Sequence, residues 1–229
     1  DFVLLDRSDN TTGQAVIQQV LTRTSVFVRK AAGTASTEQV VASNIDTVFI
    51  CMSLNSDFNL RRLERYLAIA WSSGALPVVV LTKADLCADV AAKVSEAESV
   101  AIGTEILVTS SLAEDGHDQI LPYLHCGSTA AFIGSSGVGK STLINRLAST
   151  AFATSGLRND DKGRHTTTRR ELIVLAGGGV VIDTPGMREL GLEPADLAKG
   201  FADIDELAQQ CRFRDCTHTH ETGCAVQQA

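Results

Sequence analysis

Two short motifs, and the order in which they occur, narrow the folds open to this 229-residue chain more than anything else in it. Ala130-Ala131-Phe132-Ile133 reads as a buried strand and runs directly into Gly134-Ser135-Ser136-Gly137-Val138-Gly139-Lys140-Ser141. Glycine, four residues, then glycine-lysine-serine is the phosphate-loop pattern, and Lys140 to Leu147 behind it has helical spacing. The glycines let the backbone curl until successive N–H groups point at phosphate oxygens, and the helix N-terminus adds partial positive charge. Ser136, Gly137, Val138, Gly139, Lys140, Ser141 and Thr142 are therefore expected to cradle phosphates. Lys140 is placed at the β and γ positions and the Ser141 hydroxyl on Mg²⁺. The alternative is a Gly/Ser-rich turn before an ordinary helix.

The second motif lies upstream. Thr82-Lys83-Ala84-Asp85 follows the apolar run Val78 to Leu81 and is a variant of the Asn/Thr-Lys-x-Asp guanine reader. A carboxylate at Asp85 can accept from both the ring N–H and the exocyclic amine of guanine, a donor pair that adenine lacks. The aliphatic stem of Lys83 can lie along the base. Thr109-Ser110-Ser111, after the strand ending at Val108, fits a companion loop, with Ser110 and Ser111 beside the guanine. Both motifs end predicted parallel strands, where α/β sheets bind ligands. In ordinary GTP-binding switches the phosphate loop precedes the base reader. Here the order is reversed, so a permuted chain is expected, its ancestral ends joined through residues 112–129.

Val180-Val181-Ile182 leads into Asp183-Thr184-Pro185-Gly186, a strand followed by a switch-like loop. Asp183 can hold a Mg²⁺-bound water and the Gly186 N–H can meet a γ phosphate; a plain Asp-Thr-Pro-Gly turn is the alternative. One of Thr166, Thr167 and Thr168 is expected to complete the Mg²⁺ shell, with Thr167 taken as the ligand. Met187 stands where many such switches place a water-orienting glutamine, and methionine cannot orient water. Unaided hydrolysis should be slow, and His165 is the candidate in this chain for that task. Gly137 stands where K⁺-using relatives of the fold carry asparagine, so K⁺ is not implied. Arg158, Lys162, Arg164, Arg169 and Arg170 make residues 156–170 either a solvated loop or a phosphate or RNA contact.

The remaining pattern is strand–helix alternation. Thr47 to Met52, Val78 to Leu81 and Glu105 to Val108 read as strands. Leu60, Leu63, Leu67 and Ala70-Trp71, then Ala88 to Val100, read as helices. Ile120 to Leu124 suggests a short helix, and Leu172 to Leu175 with Val180 to Ile182 a hairpin about three glycines. Strands apolar throughout imply a parallel sheet covered on both faces. Phe2 to Leu5, Ala15 to Leu21 and Ser25 to Lys30 read as three strands around a turn at 9–13, too little to stand alone and expected to be the tail of a small barrel. Residues 195–210 carry an apolar helical stripe at Leu197, Phe201, Ile204 and Leu207.

With 44% apolar residues the chain can bury a core, and no apolar run approaches the roughly 20 residues of a membrane helix. A net charge of −7 argues against nucleic-acid binding by bulk electrostatics, though not against a local basic patch. No leader sequence is visible behind Asp1, so the protein is expected to be cytoplasmic, and the missing initiator Met suggests a trimmed chain. Cys51, Cys87 and Cys126 sit in apolar segments and are expected to be buried. Cys211, Cys216, His218 and Cys224 cluster with four, one and five residues between them. Three thiolates and an imidazole make a closed tetrahedral Zn²⁺ shell, which argues for a structural ion. His220 is a substitute ligand, and a disulfide plus a free thiol is the alternative.

The motif order together with the Cys/His tail resembles the RsgA/YjeQ family of permuted GTPases that depend on the small ribosomal subunit. The resemblance is carried by Gly134 to Thr142, Gly163-Arg164-His165-Thr166-Thr167-Thr168, Asp183 to Gly186 and Cys216 to Val226. It implies an α/β fold: a circularly permuted P-loop GTPase domain with a partial N-terminal OB-fold β-barrel and a C-terminal zinc-binding helical domain. The corresponding boundaries are 1–38, 39–192 and 193–229. It further implies GTP and GDP with Mg²⁺ and Zn²⁺, and hydrolysis stimulated by the bacterial 30S subunit during its late maturation. The implied partners are that subunit and its 16S rRNA, with no membrane, and the protein is expected to be a monomer. Thr222 stands where the family tends to have proline. Two other readings are a nucleotide-gated RNA- or protein-binding module with incidental hydrolysis, and a small-molecule kinase.

Overall fold

The computed structural model describes residues 1–7, 14–30, 38–110, 116–152, 171–183, 207–213, 216 and 222–228. The expected turn at 9–13 and the 195–206 part of the expected helix lie outside these ranges, while Leu207 and Ala208 are helical. The chain divides into two compact units, Asp1–Gly191 and Leu192–Ala229.

The first unit opens with two antiparallel ribbons. β1 (Val3–Leu5) pairs with β2 (Ile17–Val20), and β3 (Val26–Lys30) pairs with β4 (Glu38–Ser43). Asp1 ties the two together, accepting from Arg23 Nε at 2.7 Å and from Ser43 Oγ at 2.8 Å. The β1–β2 ribbon leaves Phe2, Leu4, Val16, Ile17 and Val20 exposed, whereas Phe27 of β3 is buried. Sequence reading gives the first three strands and misses β4. Only Val40 and Val41 mark it as apolar, and its register, with a bulge at Phe27/Val28, comes from pairing with β3. Among the described residues these strands form two separate ribbons and no closed barrel.

Next comes a six-stranded sheet. Its elements are β5 (Thr47–Ser53), α1 (Leu60–Ser73), β6 (Leu76–Thr82), α2 (Val90–Glu98), β7 (Glu105–Val108), β8 (Thr129–Ile133), α3 (Lys140–Phe152), β9 (Glu171–Val174) and β10 (Val180–Asp183). The spatial order is β7-β6-β5-β8-β10-β9, parallel except for β9, which folds back on β10. Every residue of β5 and β8 is buried, as expected for central parallel strands with both faces covered. α1 packs against β5 and β6; Leu63, Leu67 and Ala70 are buried and Trp71 is turned outward. Asn59 caps α1 by accepting from Arg62 N at 3.0 Å. Leu143, Ile144 and Leu147 of α3 join Phe49, Val80, Phe132 and Val181 in one cluster with Ile120 and Leu124.

The predicted helix near 120 is a 3-10 turn, Asp118–Tyr123, with Pro122 inside it. The turn between β9 and β10 requires glycine at 179, because a Cβ there would stand 2.4 Å from the Leu124 carbonyl oxygen. Of the three scattered cysteines only Cys51 is buried. Cys126 is exposed because it lies in the turn before β8, and Cys87 is half-exposed after the 3-10 turn Ala84–Leu86. No helix among the described residues is long and apolar enough to cross a membrane.

Phe49 is fully buried between the rings of Phe132, at 4.8 Å, and Tyr123, at 5.5 Å. Phe49→Ala should cost about 3–5 kcal/mol, read as a lower midpoint in urea unfolding. A shift under about 1 kcal/mol would show that this cluster is not the packed centre.

Candidate functional site

The C-terminal ends of the parallel strands open onto a cleft of about 330 Å³. It is lined from one side by Thr82, Lys83, Thr109, Ser110 and Gly116, and from the other by Gly137 to Leu143 and Arg146. The chain runs from β5 outward to β7 and then returns to the other side of β5 as β8, so the cleft lies where the sheet's connectivity reverses.

The phosphate loop leaves β8 at Gly134, whose φ is +142°. A Cβ at this position would meet the Cys51 carbonyl oxygen at 2.3 Å, so the loop can turn flush against β5 only with glycine here. Val138 is buried and Ser136 stands exposed at the tip. The Lys140 side chain is 6% exposed, and its ammonium donates to the carbonyls of Gly134 and Ser135, both at 2.6 Å. Ser141 and Thr142, in the first turn of α3, face the cleft.

The base-reader segment touches this loop directly. Thr82 Oγ1 donates to Val138 O at 2.5 Å, and Lys83 Nζ donates to Gly137 O at 2.6 Å. Lys83 adopts a left-handed backbone, φ 58°, which ends β6 and starts the 3-10 turn carrying Asp85. Ala84 N donates to Thr109 O at 3.2 Å, holding the β6 and β7 loops together, and the Ser110 hydroxyl donates to the Asp85 carboxylate. Thr82, Lys83, Ser110, Lys140 and Ser141 thus meet in one cleft, with Asp85 attached through Ser110. Asp183 closes β10, next to β8, on the same edge of the sheet. Ser111, His165, Thr166, Thr167, Thr168, Gly186 and His218 lie outside the described residues.

Sequence reading overlooked three contributors. Arg146 lines the cleft; it lies three and four residues beyond Leu143 and Thr142, so helical spacing alone could have put it on their face. Asp57 accepts from Ser135 of the phosphate loop at 2.7 Å, a contact between positions 78 residues apart that no local pattern marks. Cys51 lies beneath the loop, and burial pushes its thiol from an ordinary 9.0 up to about 12, only partly countered by the charge of Lys140.

In the second unit the sulfurs of Cys211, Cys216 and Cys224 lie within 4.8 Å of one another, and Cys224 is buried. Cys211 and Cys224 Sγ are 3.9 Å apart, well beyond a disulfide bond and close to the about 3.8 Å expected between thiolates around a tetrahedral ion. Burial pushes the Cys211 thiol up, but the backbone amides of Val226 and Ala225 and the two neighbouring thiols more than offset it, leaving it below its ordinary value. Donors aimed at this sulfur favour a thiolate, the form that binds metal.

Residues 20–193 match the family model described as RsgA GTPase. A small ribosomal subunit biogenesis GTPase RsgA 2 from Lactiplantibacillus plantarum is 55% identical over 231 residues, covering 100% of this chain and 65% of that protein. The small ribosomal subunit biogenesis GTPase RsgA of Methanosarcina acetivorans is 49% identical over 234 residues, covering 100% of this chain and 63% of that protein. The chain therefore spans a little under two thirds of the length of these relatives. Among solved structures, YjeQ from Thermotoga maritima superposes with a TM-score of 0.67 at 29% identity, over 94% of this chain and 71% of that one. YloQ, described as a circularly permuted GTPase, gives 0.65 at 28% identity, over 99% of this chain and 71% of that one.

The raised Cys51 pKa fixes the sign of a pH effect. The folded state favours the protonated thiol, so stability is level below pH about 9.0 and falls as pH rises toward about 12. Thiol labelling at pH 8 should modify the exposed Cys126 first and reach Cys51 only on unfolding. Labelling of Cys51 at the rate of Cys126 in the folded protein would contradict this placement.

Proposed function

Because the chain belongs to the RsgA GTPase family, we propose that its cleft binds GTP, hydrolyses it to GDP and phosphate, and couples that cycle to biogenesis of the small ribosomal subunit. One observation carries the nucleotide half of this reading. Thr82 and Lys83 bond directly to the carbonyls of Val138 and Gly137, so base reader and phosphate loop form one surface. A purine nucleotide spanning them would place its base at Asp85 and its phosphates at the loop amides.

The roles follow from the chemistry of each group. Asp85 accepts the two guanine donors, while Ser110 and Ser111 support the rim of the base pocket. The amides of Ser136 to Ser141 and the Thr142 side take the phosphates. Lys140 exchanges its loop carbonyls for β- and γ-phosphate oxygens, stabilising the charge that grows there during transfer. Ser141, which faces the cleft, would hold Mg²⁺ with Asp183 and Thr167, and the ion would neutralise phosphate charge. The Gly186 amide senses the γ phosphate, and His165 orients the attacking water that Met187 cannot.

The three-part layout, with a partial barrel over 1–38, the permuted domain over 39–192 and a zinc domain over 193–229, belongs to the same proposal. Three converging thiols support zinc at Cys211, Cys216 and Cys224, with His218 as the fourth ligand. The protein is read as a cytoplasmic monomer acting on the 30S subunit and its 16S rRNA.

Calorimetry with GTP, GDP and ATP tests the nucleotide assignment. Guanine nucleotides should bind at least about tenfold more tightly than ATP, and Asp85→Asn should erase that margin. Equal affinity for ATP would overturn it. Lys140→Ala should reduce turnover by on the order of 10²-fold, and added 30S subunits should raise the turnover of the unaltered protein. For the metal, elemental analysis should find about one zinc per chain, lost on Cys224→Ser together with the helical turn Ala225–Gln228. A metal-free protein with an unchanged melting curve would rule out the structural ion.

A further inference from the structure

Asp57 belongs to none of the motifs above, yet it is built into the phosphate loop's support. The segment leading to it is set by its own hydrogen bonds. Asn55 Oδ1 accepts from Ser53 Oγ at 2.8 Å and from Asp57 N at 3.0 Å, and Phe58 N donates to Asn55 O at 3.0 Å. Asn59 then caps α1. This short turn presents the Asp57 carboxylate to Ser135, whose hydroxyl donates to Oδ2 at 2.7 Å. Arg62, in the first turn of α1, pairs with the same carboxylate oxygen at 2.9 Å and also donates to the Asp57 carbonyl.

Ser135 also supplies one of the carbonyls that hold the Lys140 ammonium. A continuous path therefore runs from Arg62 through Asp57 and Ser135 to Lys140. Resting on the nucleotide reading given above, we infer that Asp57 is a positioning residue: through Ser135 it fixes the loop peptide that anchors Lys140, and so sets how well the loop receives phosphate.

The charge state suits that task. The Ser135 hydrogen bond, against the opposing effect of partial burial, and then Arg62 and Lys83, hold the Asp57 carboxyl below its ordinary 3.8. It is ionised at neutral pH, and a charged acceptor makes a stronger hydrogen bond than a neutral one. Arg62 also offsets a negative charge that would otherwise repel phosphate. The Asp57 side chain remains 40% exposed, so water weakens the pairing with Arg62.

Four variants test this: Asp57→Ala, Asp57→Asn, Ser135→Ala, and the Asp57→Ala/Ser135→Ala double. In the ligand-free protein, hydrogen exchange of the peptide covering residues 134–141 should quicken in both single alanine variants. GTP affinity should fall roughly three- to tenfold in each. The double variant should be no weaker than the worse single, because both remove one interaction. Asp57→Asn, which keeps an acceptor for Ser135, should recover part of the loss. Wild-type exchange in Asp57→Ala, or losses that add in the double variant, would overturn the inference. The exchange measurement needs no nucleotide, so it decides the role of Asp57 even if the intact protein bound no GTP and the nucleotide reading failed.

Discussion

The parallel pairing of β5 with β8 is the constraint on which the site depends. It sets Phe49 beside Phe132 and Ile50 beside Ile133, so β8 ends alongside β5, three residues before β5 itself ends at Ser53. Gly134 then leaves β8 against the carbonyl of Cys51, and only a residue without a Cβ fits. On the other side of β5, Ser53 pairs with Thr82. The phosphate loop and the base reader therefore emerge on either side of a single buried strand, close enough for Thr82 and Lys83 to bond to loop carbonyls. Slipping either ladder by one residue would break those bonds and exchange the strand faces.

This arrangement explains why the reversed motif order is tolerated. A nucleotide meets loops at strand ends, and the loops are placed by the sheet rather than by chain direction. With order β7-β6-β5-β8-β10-β9, β6 and β7, which carry the base-reader loops, precede β8 in sequence and lie across β5 from it in space. The permutation also leaves Asp183 at the end of β10, after which the chain continues toward the second compact unit beginning at Leu192. In the proposed GTPase, Asp183 is thus followed in sequence by the segment that leads to the unit holding Cys211, Cys216 and Cys224, a direct covalent route for a switch.

The phosphate loop itself is held from two directions. Base-reader side chains grip the carbonyls of Gly137 and Val138, and Asp57 grips the hydroxyl of Ser135. Lys140 is folded inward onto the first two loop carbonyls, which keeps a nearly buried ammonium hydrogen-bonded. A buried cation without such partners would be costly. The loop's shape is therefore maintained by bonds from two separate stretches of chain and from its own lysine.

Much of this was legible in the residues themselves. Apolar runs located β5, β6 and β8, glycine spacing located the phosphate loop, and the Thr-Lys-x-Asp tetrapeptide marked the base reader, because each depends on neighbours a few positions away. β4 was not legible, since Val40 and Val41 alone carry its pattern and β3 supplies its register. Nor was the exposure of Cys126, which follows from a turn rather than from composition. The grip of Asp57 on Ser135 and the thiol of Cys51 under Lys140 were decided by tertiary structure alone, because they join positions that meet only once β5 and β8 have paired. The sequence by itself determined which chemistry each loop can perform; the sheet decided which loops perform it together, because hydrogen-bond register, not chain proximity, sets the distances between them.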